Sequence, residues 1–150
     1  MFVNSDLAGD KSTSHTQAGV LIFINRGSIN WYRKRHKTVE AITFVENICA
    51  TKAGVEMVED LHYKVQMFGG PIDGSTNVLY DKNTLYKNNI TPAYVLNKKH
   101  NIIAYHRYRE VVTSKTTRVV NQVTEKDLAE IFTKIIKAAR RRLLLEKFTY

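Results

Sequence analysis

Ala18-Gly-Val-Leu-Ile-Phe-Ile24, followed by Asn25-Arg-Gly27 and then Ile29-Asn-Trp31-Tyr-Arg33, is the stretch that decides the fold. The first run is rich in β-branched and aromatic residues, and apolar positions alternate in the second. The pair therefore predicts two antiparallel strands joined by a glycine-containing turn. From Val39 the period changes. Val39, Ile42, Val45, Ile48 and Cys49 recur at helical spacing with no proline before Pro71. This predicts a helix over about 39 to 53 that resumes after Gly54 through Val55, Val58, Leu61 and Val65.

Upstream of the hairpin, Phe2 to Asp6 suits a short strand closed by Ala8-Gly9-Asp10, with a polar loop from Asp10 to Gln17. Downstream, Gly69-Gly-Pro-Ile-Asp-Gly-Ser75 breaks the chain. Val78-Leu-Tyr80 then suits a buried strand, Thr84 to Asn88 a short helix ended before Pro92, Ile102 to Val112 a helix, and Arg118 to Val123 a last strand. Thr124-Glu-Lys-Asp127 resembles a capping box and opens a basic C-terminal helix over about 125 to 147, with Leu128, Ile131, Phe132 and Ile135 on its inner face. The order β-β-β-α-β-α-α-β-α implies an α/β fold: one mixed sheet with helices packed against it.

The 150 residues match one domain, and 43% hydrophobic with 25% charged residues calls for a packed core rather than a disordered chain. The longest apolar run, Gly19 to Ile24, is far short of the roughly 20 residues of a membrane-spanning helix. Met-Phe-Val-Asn-Ser-Asp at the start has neither the basic nor the apolar region of a secretory signal, so an intracellular location, cytoplasm or nucleus, is expected. Cys49 is the one cysteine, which forbids an intrachain disulfide and reads as a small core hydrophobe.

Charge points to a polyanionic partner. Lys plus Arg number 23 against 14 Asp plus Glu, a formal net charge of +9, and the pI is near 9.7. Nucleic acid is the leading candidate. The excess is clustered in Arg33-Lys-Arg-His-Lys37, Lys98-Lys-His100 and Arg140-Arg-Arg142. Solvated surface explains each run equally well when taken alone.

Most catalytic signatures are absent: there is no P-loop, no Gly-x-Ser-x-Gly elbow, no His-Glu-x-x-His and no dinucleotide glycine fingerprint. His100 and His106 lack a third ligand at zinc spacing and read as an ordinary histidine pair. What remains is carboxylate chemistry at strand ends. Asp81 ends the fourth strand, where α/β sheets present ligands. Glu130 lies one turn into the last helix, and Asp6 lies two residues beyond Asn4 on the same strand face. Surface charge is the bland alternative for all three.

The ordered series Asn4-Ser-Asp-Leu-Ala-Gly-Asp10, Ser28-Ile-Asn-Trp31, Lys37-Thr-Val39, Asp81, Lys99-His100, Tyr105-His106, Arg109-Glu110 and Leu128-Ala-Glu-Ile-Phe-Thr-Lys134 resembles the ribonuclease H domain of copia-type retrotransposon Pol polyproteins, over about residues 2 to 136. The resemblance implies a ribonuclease H-like fold with a five-stranded mixed sheet flanked by helices. It further implies cleavage of the RNA strand of RNA/DNA hybrids, using two Mg²⁺ ions roughly 4 Å apart held by four carboxylates.

Carried over by residue, those four positions are Asn4, Asn47, Asp81 and Glu130. Only Asp81 and Glu130 keep a charge to hold metal, so a site of about −4 falls to about −2 and Mg²⁺ recruitment should suffer. Glu46 lies about 100° around the helix from Asn47, and Asp6 about 6.5 Å along the strand from Asn4, so neither replaces a lost ligand. Leu7, Ile42-Thr-Phe-Val45 and Tyr80 also depart from the family pattern. The start of the chain just before Asn4 reads as an internal methionine of a decayed element with a poorly anchored first strand.

Three functions stay open at this level: a degenerate ribonuclease H with catalysis lost or reduced, an active nuclease tolerating amide ligands, and a basic non-catalytic nucleic-acid-binding module. In the last, Lys34, Lys37, Lys98 and Lys99 would contact phosphates and duplex shape would be read. Trp31, Tyr32, Tyr105 and Tyr108 are candidate stacking residues, with core packing the favoured role for Trp31. Leu143-Leu-Leu145 is either a docking stripe or the end of the last helix.

Overall fold

The computed structural model describes residues 1–6, 16–35, 43–80, 99–122 and 126–147. Five strands form one sheet in the order β3-β2-β1-β4-β5: β1 (Phe2–Asp6), β2 (Gln17–Ile24), β3 (Gly27–Arg35), β4 (Thr76–Tyr80) and β5 (Thr117–Asn121). β1, β2 and β3 are antiparallel neighbours, whereas β4 runs parallel to both β1 and β5. The helices are α1 (Thr43–Met67), α2 (Lys99–Thr113), α3 (Glu130–Thr133) and α4 (Ala138–Leu145). This is the mixed sheet the segment order implied. The expected short helix at Thr84 to Asn88 lies outside the described residues.

Strand alternation divides the apolar residues into two cores. Val3, Val20, Ile22, Val78 and Tyr80 meet Ile48, Val55 and Val58 of α1 and Tyr105 and Val111 of α2 on one face. Phe2, Leu21 and Phe23 meet Leu128, Ile131, Phe132, Ile136 and Leu144 on the other. Cys49 is half-buried against the first core. Among the described residues no helix is long and apolar enough to cross a membrane.

Several local expectations are corrected. The hairpin turns on Asn25, whose φ of 54° is left-handed, while Gly27 already belongs to β3. Far from being poorly anchored, β1 is the central strand, and the Leu79 backbone N–H donates to the Met1 carbonyl at 2.8 Å. α1 runs unbroken through Gly54, because a glycine there lets the helix approach Met1 and Val20 closely.

The single C-terminal helix over 125 to 147 is instead two helices, separated by extended backbone at Lys134 (φ −119°, ψ 154°) and Lys137 (φ −59°, ψ 147°). Ile136 therefore enters the core, and Ile135, expected inside, is fully exposed. Asp127 is not the third residue of a helix capped by Thr124. Its Oδ1 accepts the Ala129 backbone N–H at 3.0 Å and ties the turn before α3. Thr124 lies outside the described residues.

Gly19 sets how closely α3 meets the sheet. A Cβ there would stand 2.8 Å from Phe132 Cβ and 3.0 Å from both the Ala129 carbonyl oxygen and Thr133 Cγ2. Backbone cannot yield as a side chain can, so Gly19→Ala is expected to destabilise the fold by about 1 to 3 kcal/mol. Gly54→Ala faces mainly the flexible end of Met1, at 2.6 Å from Sδ, and regains helix propensity, so it should stay within about 1 kcal/mol of the unaltered chain. Chemical denaturation of the two variants checks this, and equal losses would contradict it.

Candidate functional site

Three of the four positions singled out in the sequence, Asn4, Asn47 and Glu130, are described. Asn4 sits in the middle of β1, in register with Gly19. Because α3 lies on Gly19, Asn4 and Glu130 share a face of the sheet. Asn4 is only 2% exposed, and both polar atoms of its amide lack a hydrogen-bond partner among the described residues. Buried amide atoms without a partner are costly, and a polar ligand, ion or water beside them would relieve that cost. Asp6 stands at the end of the same strand, half-buried.

Glu130, in the first turn of α3, is buried, but its carboxylate is already engaged. Lys134 Nζ lies 3.1 Å from Oε1 and Arg140 of α4 lies 3.2 Å from Oε2. The Lys134 contact follows from i, i+4 spacing and was readable in the sequence. The Arg140 contact was not, since it depends on the break between α3 and α4.

Asn47 lies on the opposite face, buried in α1. Its Oδ1 accepts the Ser5 hydroxyl at 2.5 Å, and its backbone carbonyl accepts the Thr51 hydroxyl at 2.6 Å. Thr51 Oγ1 in turn accepts the Tyr80 phenol. Burial, reinforced by the neighbouring Tyr108, drives that phenol well above its ordinary pKa against the lowering effect of the Thr51 bond. It therefore stays protonated and donates. Ser5, Thr51 and Tyr80 thus join β1, α1 and the end of β4 in one buried polar chain. Sequence reasoning missed it because it crosses three elements. Asp81, which follows Tyr80, lies outside the described residues.

The described donors do not fit a pair of divalent ions. Asn4 and Asn47 offer neutral amides on opposite faces, Asn47 Oδ1 is occupied by Ser5, and Glu130 is neutralised by two cations. Among the described residues no group of three or more His, Cys, Asp or Glu could hold a metal.

Of the expected phosphate contacts, Lys34 on β3 and Lys99 at the head of α2 are exposed, and Lys37 and Lys98 lie outside the described residues. Two aromatic expectations reverse. Tyr105 and Tyr108 are buried in the core rather than available for stacking, and Trp31, expected inside, is 64% exposed. Tyr32 is half-buried. Of the leucine stripe, Leu144 is buried whereas Leu143 and Leu145 face solvent.

His62 of α1 makes the link to β4, its Nε2 lying 2.8 Å from Thr76 Oγ1. Burial lowers its pKa from 6.5, partly opposed by Glu59. The unfolded chain then holds this proton more tightly than the fold, so stability is expected to fall as pH drops through 6.5. Denaturation midpoints either side of that pH check it, and a slope unchanged in His62→Gln would refute it.

No protein-family model matches the chain. It is 26% identical, over 97% of its own length, to the retrovirus-related Pol polyprotein from transposon TNT 1-94 of Nicotiana tabacum. The chain spans 11% of that polyprotein. Its fold is similar to that of LC11-RNase H1, solved in complex with an RNA/DNA hybrid, with a TM-score of 0.59, 15% identity, and coverage of 87% of this chain and 90% of the other. The chain is thus similar along nearly its whole length to part of a retrotransposon Pol polyprotein, and it has a ribonuclease H-like fold.

Proposed function

We propose that this chain is a nucleic-acid-binding ribonuclease H-like domain whose cleavage of the RNA strand of RNA/DNA hybrids is lost or severely reduced. The observation that carries this is the state of Glu130. It is the sole carboxylate at the three described site positions, and it is committed to Lys134 and Arg140. The amides at Asn4 and Asn47 add no charge with which to compete for Mg²⁺, the cofactor the family resemblance implies. Activation of the attacking water and stabilisation of the leaving oxygen are the chemistry that Mg²⁺ would supply.

Binding outlasts catalysis in this reading. A net charge of +9 favours any polyanion. The hybrid bound in the solved structural relative supports an A-like duplex as the ligand, read by shape rather than by base. Lys34 and Lys99, with Lys37 and Lys98, would supply phosphate contacts, making affinity fall steeply with salt. The test is cleavage of a labelled hybrid in Mg²⁺ and in Mn²⁺, beside binding of the same hybrid at two ionic strengths. Salt-sensitive binding without cleavage is expected. Cleavage comparable with that of an intact relative would overturn the proposal.

A further inference from the structure

Trp31 is the chain's one tryptophan, and it stands exposed on β3, an edge strand. Arg33 and Arg35 follow at spacings of two, so strand geometry sets all three on the same face of the sheet. The register says which face. Trp31 is opposite Leu21 and Arg33 is opposite Gly19. Leu21 packs with Leu144 of α4, and Gly19 lies under α3. α4 thus lies on the side of the sheet that Trp31 shares, and it carries the exposed Arg141 and Arg142. Two basic runs more than a hundred residues apart in sequence lie on the same side of the sheet as a solvent-facing indole.

We propose that this face binds single-stranded nucleic acid, with an unpaired base stacked on Trp31 and Arg33, Arg35, Arg141 and Arg142 holding phosphates on either side. The partner follows from charge and shape. An indole open to solvent offers a stacking platform that any unpaired base can use, whereas bases within a duplex already cover one another's faces. Arginines around it demand an anion. A second copy of this basic chain would oppose like charges across the same face. Gln17 helps to aim the site, since its Oε1 accepts from Arg33 Nε at 3.1 Å and from the same guanidinium's NH2 at 2.7 Å. The inference rests on the function proposed above only for the class of ligand, because the surface lies on the β3 side of α3 and uses none of Asn4, Asn47 or Glu130.

The lone tryptophan makes the test direct. The full chain is titrated with oligothymidylate and, separately, oligouridylate of about 12 nucleotides, a usual site size for single-strand binders. Tryptophan emission and the anisotropy of a labelled oligomer are followed together. Saturable quenching by either oligomer is expected, and their ratio assigns DNA or RNA. Trp31→Leu should weaken single-strand binding about tenfold. Trp31→Phe should recover most of that loss, and Arg141→Ala should lower the salt slope by about one. RNA/DNA hybrid binding should stay unchanged in Trp31→Leu. Loss of hybrid binding by the unaltered chain would sink the earlier proposal while leaving this one standing. Oligomer binding of equal affinity in Trp31→Leu would overturn this one. So would emission that shifts with protein concentration in the absence of oligomer, which would assign the face to a second copy.

Discussion

Restoring aspartate at Asn4 and glutamate at Asn47 is expected to raise hybrid cleavage at least about 100-fold over the unaltered chain, since even groups that merely orient metal ligands are worth up to that factor. The two changes add about two negative charges at the positions the family resemblance implies, one on each face of β1. Asn47→Glu keeps an acceptor for the Ser5 hydroxyl that Asn47 Oδ1 accepts at 2.5 Å, but it places a charge at a position 4% exposed and should cost stability without metal. Glu130 must also be released. Metal competes for it with Lys134 and Arg140, so adding Arg140→Ala to the double variant should raise cleavage again. Asp81→Asn in that background should abolish it. If the unaltered chain cuts as fast as the double variant, and Asp81→Asn abolishes that activity, amide ligands suffice and the charge argument is wrong.

Asn4 alone gives the second large effect, read without any catalysis. An ionised carboxylate at a position 2% exposed has little water to solvate it. Asn4→Asp in chelator should therefore cost about 3 kcal/mol of stability near neutral pH, the scale of a two-unit rise in a buried carboxyl pKa. Mn²⁺ should return most of it, because an ion at a hundred times its Kd stabilises the fold by about 2.7 kcal/mol. Asn4→Val behaves oppositely. It removes amide atoms that have no hydrogen-bond partner among the described residues and suits a central strand, so a gain of about 1 kcal/mol is expected in chelator and in metal alike. Thermal or urea denaturation of the three chains decides it. An aspartate variant indifferent to metal would mean that Asn4 does not face a cation site.

The hairpin and the change of period after it were legible because both signals are local. Trp31 was misread for a physical reason: alternation says which residues share a face, and nothing local says where the cover on that face ends. Here α3 and α4 pack on Leu21 and Gly19 of β2, and the edge strand beyond stays open. Ile135 failed differently. No glycine or proline stands between Ile131 and Arg142, so periodicity carried the helix straight through a stretch whose extended backbone moves Ile136 inward instead.

Family resemblance pointed to Asn4, Asn47 and Glu130 but not to their partners. Ser5 on Asn47 and Arg140 on Glu130 belong to other elements, and pairing across elements is fixed only once the chain is folded.

The break between α3 and α4 bears on the order in which the molecule comes apart. Among the described residues, Leu144 and the Arg140–Glu130 pair tie α4 to the rest, whereas α1 is sealed against the sheet by a broad apolar face. Such a segment behaves as a separate cooperative unit, opening while the five strands stay closed. Its amides should exchange with solvent first. Each opening would free the Glu130 carboxylate from Arg140 for as long as α4 stays away, so the frequency of that excursion sets how often this acid is available to anything else.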